Sequence, residues 1–305
     1  MAEKPEKKPI KTNVKSDKKK RRMKPWQRRT LLGVLIVAIL GCTLVAFQGP
    51  IRDALLSHAQ TTVSQGIASG GNNSGKKGQE KDPLTSKNAQ KIAKRNGDMQ
   101  ALQAKLHNAL KKGNRPLAER YQKQINKMLP KDTDYDWDDV DPMTTGQAVK
   151  TATAHYDAAG SAGVISVPAV KMYLPVGYGV ANHTLSVGLG TMKRGEFPGR
   201  GNYALCGHYL STSGPLASPI RRIKKGDLIY ISDMNTVYVY RTYQTFKAAN
   251  TATWLVNDTT YKGSPITTLI TCADYGYQRY VARGYMINAM PATKSNMKVF
   301  KNLYY

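Results

Sequence analysis

The chain has 305 residues, a formal net charge of +26 and 41% hydrophobic residues, so it could hold two domains and can form at least one core. Much of the positive charge lies in the N-terminal tail and the segment after it, where Lys and Arg are solvated, and nucleic-acid binding is therefore not indicated. The chain has three cysteines and no CxxC or CxxH spacing, which excludes a disulfide framework and disfavours a structural zinc site.

The first 48 residues are predicted to anchor the protein in the cell membrane. Residues 1–29 are a polar tail rich in Lys and Arg, which is expected to be disordered. Residues 30–48 contain an apolar run from Leu31 to Phe47, long enough for a transmembrane helix. Basic residues precede the run and none follow it directly, so the positive-inside bias keeps the N-terminus cytoplasmic and puts the rest of the chain outside.

Two other interpretations of the apolar run are open. A cleaved signal peptide has a shorter apolar region and a small-x-small site after it, which Val45-Ala46-Phe47-Gln48 does not offer. Ile39-Leu40-Gly41-Cys42 is similar to a lipoprotein box, but Leu40 is bulky for it and the apolar run continues beyond Cys42. The uncleaved anchor is favoured.

Residues 49–135 are interpreted as an extracellular tether. The stretch from Gly66 to Gly78 is rich in Gly, Ser and Asn and is expected to be flexible. After it, apolar residues recur at helical spacing on both sides of Gly113-Asn114-Arg115-Pro116, between Ile92 and Met128. This pattern predicts either a small helical hairpin or a largely solvated, partly helical spacer.

Residues 136–305 are predicted to form the catalytic domain. Six aspartates between Asp132 and Asp141 are dense enough for calcium, but their spacing lacks the Gly and the terminal Glu of an EF-hand loop, so solvated charge or a helix start is favoured. A helix is expected over 145–158. Short β-type runs then alternate with Gly and Pro turns, which is typical of an all-β sandwich or closed barrel. These runs are 164–167, 170–174, 203–206, 228–232, 237–246, 266–271 and 280–289.

Three side chains in this domain are candidates for acyl-transfer chemistry. The apolar run that begins at Thr267 ends at Cys272, which places the thiol at the tip of a strand. A second strand follows so closely that a hairpin is predicted, and this hairpin returns Arg279 towards Cys272. His208 ends another short apolar run. It is the third candidate.

Each candidate suits one role in the reaction. A cysteine attacks an amide carbonyl as thiolate, and His208 can be its cationic partner or protonate the leaving amine as imidazolium. Arg279 cannot lose its proton, so its natural role is to hold the developing oxyanion or the substrate carbonyl. Thr271, beside the nucleophile, is a candidate for a hydroxyl or backbone contact to substrate.

The order of several short motifs resembles the sortase family, and within it class A, the housekeeping sortases of Gram-positive bacteria. The motifs include Leu174-Pro175-Val176, the segment from Gly201 to His208, and Thr268-Leu269-Ile270-Thr271-Cys272 with Arg279. The resemblance covers roughly residues 140–305. It implies an eight-stranded β-barrel and a cysteine transpeptidase that joins surface proteins to the cell wall.

By the same resemblance, the substrate is a Leu-Pro-x-Thr-Gly sorting signal cut between Thr and Gly. The thioester on Cys272 is then resolved by an amine of a peptidoglycan precursor, which is expected to be lipid-linked. The segment from Ala248 to Pro265 is expected to grip the Leu-Pro part through Trp254, Leu255 and Val256, although core packing explains those residues equally well.

Two further features of the domain concern cofactors and redox chemistry. Some class A members are activated by calcium, but the loop Lys193-Arg194-Gly195-Glu196 offers one acid flanked by bases, so no cofactor or metal is expected. Cys206 stands where a small residue such as Ala is ordinary. It is interpreted as a buried filler, unless its Cα lies within about 7 Å of that of Cys272, where a regulatory disulfide is conceivable.

The sequence leaves two other classes of function open besides the membrane-anchored transpeptidase. A cysteine hydrolase of cell-wall peptides shares the Cys and His but transfers to water. A non-enzymatic basic surface protein binds anionic wall polymers without turnover.

Overall fold

The computed structural model describes residues 83–137, 160–210, 216–273 and 276–303, together with a few isolated positions. The predicted transmembrane segment 30–48 and the predicted helix 145–158 fall mostly outside the described residues. Within the part that is described, no helix has both the length and the apolar character needed to cross a membrane. The chain separates into two compact units, 1–48 and 49–305, and the strands and long helices belong to the second.

Two helices occupy the stretch with helical spacing, so of the two alternatives the structure has the hairpin. Helix α1 is Lys87–Lys111 and helix α2 is Arg115–Met128. The Ser86 hydroxyl accepts a hydrogen bond from the Ala89 amide at 3.0 Å, and the Asn114 side chain caps α2 in the same way. Gly113 adopts a φ of 68° between the helices, a conformation that glycine adopts without strain.

Nine strands follow in the described part of the chain. Their bounds are β1 Gly163–Val167, β2 Met172–Gly177, β3 Leu189–Thr191, β4 Asn202–Gly207, β5 Leu228–Ser232, β6 Thr236–Ala249, β7 Thr260–Tyr261, β8 Ser264–Ala273 and β9 Gln278–Pro291. A short helix, α3, spans Asn182–Leu185 between β2 and β3.

Eight of these strands close into a barrel, as the sequence led us to expect. The sheet order is β4-β3-β2-β1-β5-β6-β9-β8-β7, and β4 also pairs with β8, which closes a ring of eight strands. Strand β7 lies outside that ring and pairs with β8 over only two positions. Closure removes the free edges that an open sheet would expose.

The side chains of the closing strands alternate between two sides. Leu205, Leu269 and Ala282 belong to the main core cluster inside the barrel. Their neighbours Ile270 and Val281 belong to a second cluster, which lies on the outer side of the same strands. Successive residues of a strand point to opposite faces, so this outer face is also the side to which Cys272 belongs.

The helical hairpin is packed against the barrel. Met99 of α1 and Ile125 of α2 are 1% and 0% exposed and belong to the main core cluster. The buried Asn96 amide donates to the carbonyls of Ala162 and Asp233 at 2.8 and 2.9 Å. The compact unit of the structure therefore includes this part of the predicted tether.

Candidate active site

The strand register brings the three candidate residues level with one another. Cys272 in β8 lies directly opposite Arg279 in β9, which confirms the predicted hairpin. In the parallel pair of β4 and β8, Gly207 is opposite Thr271, so His208 follows at the level of Cys272. Cross-strand partners project to the same face. Two pairings, one local and one across 64 residues, thus put the backbone positions of Cys272, Arg279 and His208 at one level of the sheet.

The Arg279 guanidinium is held beside the thiol. Its Nη1 lies 3.8 Å from the Sγ of Cys272 and donates to the carbonyl oxygens of Gly276 at 2.8 Å and Gln278 at 3.4 Å. The backbone of the turn therefore fixes the position of the charge. Both Cys272 and Arg279 are half-buried, so a substrate can reach them.

His208 is 5% exposed, and burial lowers the pKa of its imidazole to about 4. A buried ring favours the uncharged form because charge loses hydration on burial. Its Nε2 is buried and has no hydrogen-bond partner in the described part of the chain. At neutral pH this ring is uncharged. It is therefore a proton acceptor.

Cys206 shares the outer face with Cys272 but is not its direct neighbour. Cys206 pairs with Ile270, two residues before Cys272, and such diagonal positions lie about 7–8 Å apart. That separation exceeds the range in which two cysteines are bridged without backbone movement, and both thiols are free. Burial, followed by the nearby Cys272, raises the pKa of Cys206 to about 12.

Thr271 points away from this face. Its side chain is 1% exposed, and its hydroxyl donates to the carbonyl oxygen of Gly207 at 3.0 Å. The hydroxyl contact to substrate proposed from the sequence does not fit this geometry. Instead, Thr271 ties β8 to β4 at the level where Cys272 and His208 follow.

The three residues expected to contact substrate differ in accessibility. They lie in a short 3₁₀-helix, Thr253–Val256, after β6. Trp254 is 50% exposed, Val256 is half-buried, and Leu255 is 2% exposed within the outer core cluster. The structure therefore assigns Leu255 to packing and leaves Trp254 and Val256 available at the surface.

A groove runs along the outer face next to Trp254. Five of its nine lining residues fall in the predicted substrate-gripping segment 248–265, and the other four lie on β6 and β9 outside that segment. The groove encloses about 670 Å³ and is lined by Gln244, Phe246, Lys247, Ala248, Ala249, Thr251, Ala252, Trp254 and Arg283. Ala248 pairs with Arg279, so the groove begins in the row of Cys272. The Phe246 and Trp254 rings stack at 5.9 Å, and Arg283 lies 5.1 Å from the Trp254 ring.

The Lys193 ammonium group connects the loop after β3 with the segment that follows the 3₁₀-helix. Lys193 Nζ donates to Asp258, which follows the 3₁₀-helix, and to the carbonyl oxygen of Asn202 at 3.0 Å. Glu196 Oε2 is 3.9 Å from the same nitrogen. The Glu196 carboxyl also accepts three backbone hydrogen bonds, while burial raises its pKa to about 7.

No group of three or more His, Cys, Asp or Glu side chains that could hold a metal occurs among the residues that the structure describes. Part of the aspartate-rich segment is outside these residues. The expectation that no metal is required therefore stays a prediction.

The chain is similar to several known proteins. Residues 165–287 match the family model of the sortase domain. Sortase A of Listeria monocytogenes is 33% identical over 183 residues, which cover 59% of this chain and 79% of that protein. Sortase A of Bacillus anthracis is 35% identical over 140 residues, 45% of this chain and 65% of that protein. The crystal structure of Listeria monocytogenes sortase A aligns at 33% identity with a TM-score of 0.44, covering 46% of this chain and 97% of its own.

The chain is a member of the cysteine transpeptidases, as indicated by its barrel, by the half-buried thiol beside a fixed guanidinium, and by these relatives. It belongs to the sortase family and is similar to its class A members.

Proposed function

We propose that this protein cleaves Leu-Pro-x-Thr-Gly sorting signals between Thr and Gly and transfers the released acyl group from Cys272 to an amine of a peptidoglycan precursor. The proposal is supported by the strand register, which puts Cys272, Arg279 and His208 at one level, and by the 3.8 Å contact between Arg279 and the Cys272 sulfur on the face that bears the groove. Family membership supplies the substrate class.

In the first half-reaction Cys272 is the nucleophile. Its sulfur attacks the carbonyl carbon of the Thr residue, and the thiol proton passes to the uncharged ring of His208. The C–N bond to Gly then breaks, the Gly amine takes the proton from the imidazolium, and a thioester on Cys272 remains. Burial lowers the pKa of the His208 imidazole, so the ring is uncharged before the attack and its imidazolium readily gives the proton to the leaving amine.

Arg279 stabilises the negative charge that develops on the carbonyl oxygen. A cation fixed by two backbone carbonyls is preorganised, so it does not have to reorient as the charge appears. Its 3.8 Å separation from the sulfur puts it beside the carbon under attack.

In the second half-reaction the acceptor amine attacks the thioester. The amine gives up a proton to His208, the new amide forms, and Cys272 leaves as a thiolate that recovers the proton. The donor stays bound meanwhile through the groove, where the stacked Phe246 and Trp254 supply apolar surface for the Leu-Pro part.

We also propose that the enzyme is a single-pass membrane protein with its catalytic domain outside the cell. The apolar run from Leu31 to Phe47 and its basic flank support this topology. A tethered enzyme meets membrane-held donor and lipid-linked acceptor at a raised effective concentration. Protease treatment of intact cells tests it, since the barrel should be digested and the N-terminal tail protected.

Calcium is not required in this proposal. The Lys193 ammonium already joins oxygens of Asp258, Asn202 and Glu196, and it carries the positive charge that a metal would bring. Peptide cleavage rates should be the same with calcium and with a chelator. A clear rise on adding calcium would contradict this part.

Mass spectrometry of a sorting-signal peptide, incubated with and without an amine, tests the function as a whole. A ligated product is expected in the presence of the amine, and Cys272→Ala should abolish it. Hydrolysis that the amine does not divert would identify a hydrolase instead, and persistence of product in Cys272→Ala would place the nucleophile elsewhere. Cys206→Ala is the matched control, since it removes the other thiol of the same face and should retain ligation.

A further inference from the structure

Three tyrosines form a cluster on the outer face of the barrel, beyond the groove. The rings of Tyr243 and Tyr261 stack with centroids 4.1 Å apart, and Tyr285 lies 5.3 Å from Tyr261 and 6.3 Å from Tyr243. All three side chains are half-buried. They are contributed by β6, β7 and β9, so residues far apart in the chain make this one aromatic surface.

An irregularity in β6 accompanies Tyr243. The register between β6 and β9 shifts between Thr242, which pairs with Gly284, and Gln244, which pairs with Arg283. Tyr243 is the extra residue at this bulge, and bulges re-aim side chains. The ring of Tyr243 thereby reaches the same surface as Tyr285, two positions beyond Arg283 on β9.

The cluster is continuous with the groove through Arg283. This guanidinium lies over the rings of Trp254 and Phe246, at 5.1 and 5.7 Å. Burial raises the pKa of Tyr243, and the adjacent Arg283 opposes that rise, so Arg283 also neighbours the tyrosine. A path lined by alanine and aromatic side chains and by the Arg283 guanidinium therefore leads from Ala248 beside Arg279, past Trp254, to the three tyrosines.

The length of this path exceeds that of the sorting signal. Tyr285 pairs with Ile266, six residues before Cys272 on β8, which is a distance of about 20 Å along the strand. An extended peptide spans about 3.3–3.6 Å per residue, so the Leu of the signal lies about 10 Å upstream of the scissile carbonyl. The tyrosines are thus level with donor residues about two or three positions upstream of that Leu.

The charges around the cluster define the chemistry of its ligand. Lys262 Nζ is 5.7 Å from the Tyr261 ring centroid, and the exposed Arg241 stands in the row of Tyr285. Among the described residues from 236 to 291 the one carboxylate is that of Asp258, which is paired with Lys193. Aromatic surfaces dock proline-containing extended segments, and cations pair with carboxylates.

We propose that Tyr243, Tyr261 and Tyr285, with Lys262, form a second binding site for the donor polypeptide, which takes the extended segment upstream of the sorting signal and prefers proline and acidic residues there. This inference rests on the function proposed above. The site adds affinity and selectivity among donors that carry the same five-residue signal.

Three peptides with the signal Leu-Pro-Ala-Thr-Gly test it on the full-length chain. One has no upstream extension, one has Glu-Pro-Glu-Pro and one has Gly-Ser-Gly-Ser. The wild-type chain should ligate the Glu-Pro-Glu-Pro peptide with a kcat/KM about threefold to tenfold higher than the other two, as expected for a few partly exposed aromatic contacts. Equal values for the three peptides would overturn the inference.

Tyr285→Ala separates binding from support of the loop after β6. The variant should lose the preference for Glu-Pro-Glu-Pro and keep the wild-type rate on the short peptide. A proportional fall on all three peptides would identify the tyrosines as structural and overturn the inference. Tyr230→Ala is the matched control, because Tyr230 packs against a different core cluster, under α1, and its removal should leave the preference intact.

Charge reversal gives a second arm that does not depend on removing a ring. Lys262→Glu should reduce the preference for Glu-Pro-Glu-Pro and raise the rate on a Lys-Pro-Lys-Pro peptide relative to the wild-type chain. An unchanged ranking would overturn the role of Lys262. Absence of ligation by the wild-type chain with every peptide would instead refute the function itself, so the two failures are distinguishable.

Discussion

Two regions of the barrel differ in how far their side chains are buried. One is the side covered by the helical hairpin, and the other is the face that carries Cys272. Under the hairpin, Met99 and Ile125 are fully buried and the Asn96 amide is paired with two carbonyls. On the other face, Trp254 is half exposed and His208 keeps a buried nitrogen without a partner in the described chain. Both regions keep some buried polar atoms without a hydrogen-bond partner among the described residues, including Gln103 Oε1 on α1. The difference lies in the apolar surface, which is buried under the hairpin and partly exposed at Trp254, where a substrate can contact it.

The largest expected effect is a loss of activity without a loss of stability. Arg279→Ala should lower kcat about 100-fold to 1000-fold, because a fixed donor to the developing oxyanion disappears. The urea midpoint should stay nearly unchanged, since the side chain is half-buried at a strand end.

Arg279→Lys is the control for charge. It keeps the positive charge but loses the planar fork, and it should recover only part of the rate. If the Arg279→Ala variant unfolds at a much lower urea concentration than the wild type, Arg279 stabilises the fold, and the contrast between the hairpin side and the Cys272 face does not hold.

The hairpin should show the reverse behaviour. Ile125→Ala should lower the free energy of unfolding by about 2–4 kcal/mol, because it leaves a cavity at a fully buried site. At temperatures where the variant stays folded, its kcat/KM should equal that of the wild type. Leu110→Ala, at a position 57% exposed on α1, should change stability by about 0.5 kcal/mol or less.

Unfolding followed both by circular dichroism and by activity tests whether the hairpin and the barrel unfold together. Coincident transitions are expected, since the hairpin and barrel share one core cluster. A separate early loss of helical signal would show that α1 and α2 are only loosely attached.

His208, on the face that carries Cys272, should make the free energy of unfolding depend on pH. Its pKa falls from 6.5 to about 4 on folding, so between these values the unfolded chain binds more protons than the folded one. Stability from this group is full above pH 6.5 and is lost as the pH falls towards 4, by about 2–3 kcal/mol. His208→Gln should remove this part of the pH dependence in urea titrations.

Glu196 contributes with the opposite sign and must be separated from His208. Its pKa rises from 4.5 to about 7, so its stabilisation is present at low pH and is lost as the pH rises through that window. Glu196→Gln should steepen the net acid sensitivity, because only the His208 part remains. Direct observation of the His208 ring by NMR should give a midpoint near 4, and a midpoint near 6.5 would contradict the burial argument.

The smallest effect is expected in the groove. Trp254→Ala should raise KM about threefold to tenfold for a sorting-signal peptide with little change in kcat, because the ring offers apolar contact before and during reaction. Leu255→Ala, one residue on, should instead lower stability, since that side chain is 2% exposed. Equal KM values for the two variants would remove the distinction between them.

The sequence predicted those parts of the fold that local pattern controls. Seven strands and the hairpin that joins Cys272 to Arg279 follow from apolar runs and turns, and strand Leu228–Ser232 has the predicted bounds. Strand β3, Leu189–Thr191, was missed because three residues give no periodicity and its partner β2 is parallel. Strand β7, which pairs antiparallel with β8, was missed because it has only two residues.

The rest of the site depends on register, which local pattern does not encode. Gln244, Phe246 and Arg283 become groove residues only when β6 and β9 pair with the observed alignment, including the bulge at Tyr243. In the sequence Lys193 could not be distinguished from the other basic residues, because its partner Asp258 is 65 positions away. The side of Thr271 could have been found, since it alternates with Cys272.

Pairing of β4 with β8 joins segments that are 64 residues apart, and it is the step that closes the ring. Contacts of such long range form late and slowly when a chain folds. Cys272 and His208 come to the same level only through this pairing, so a chain in which β4 and β8 are still apart holds a thiol and an imidazole that cannot act together. Closure of the ring therefore couples the last stage of folding to the assembly of the site.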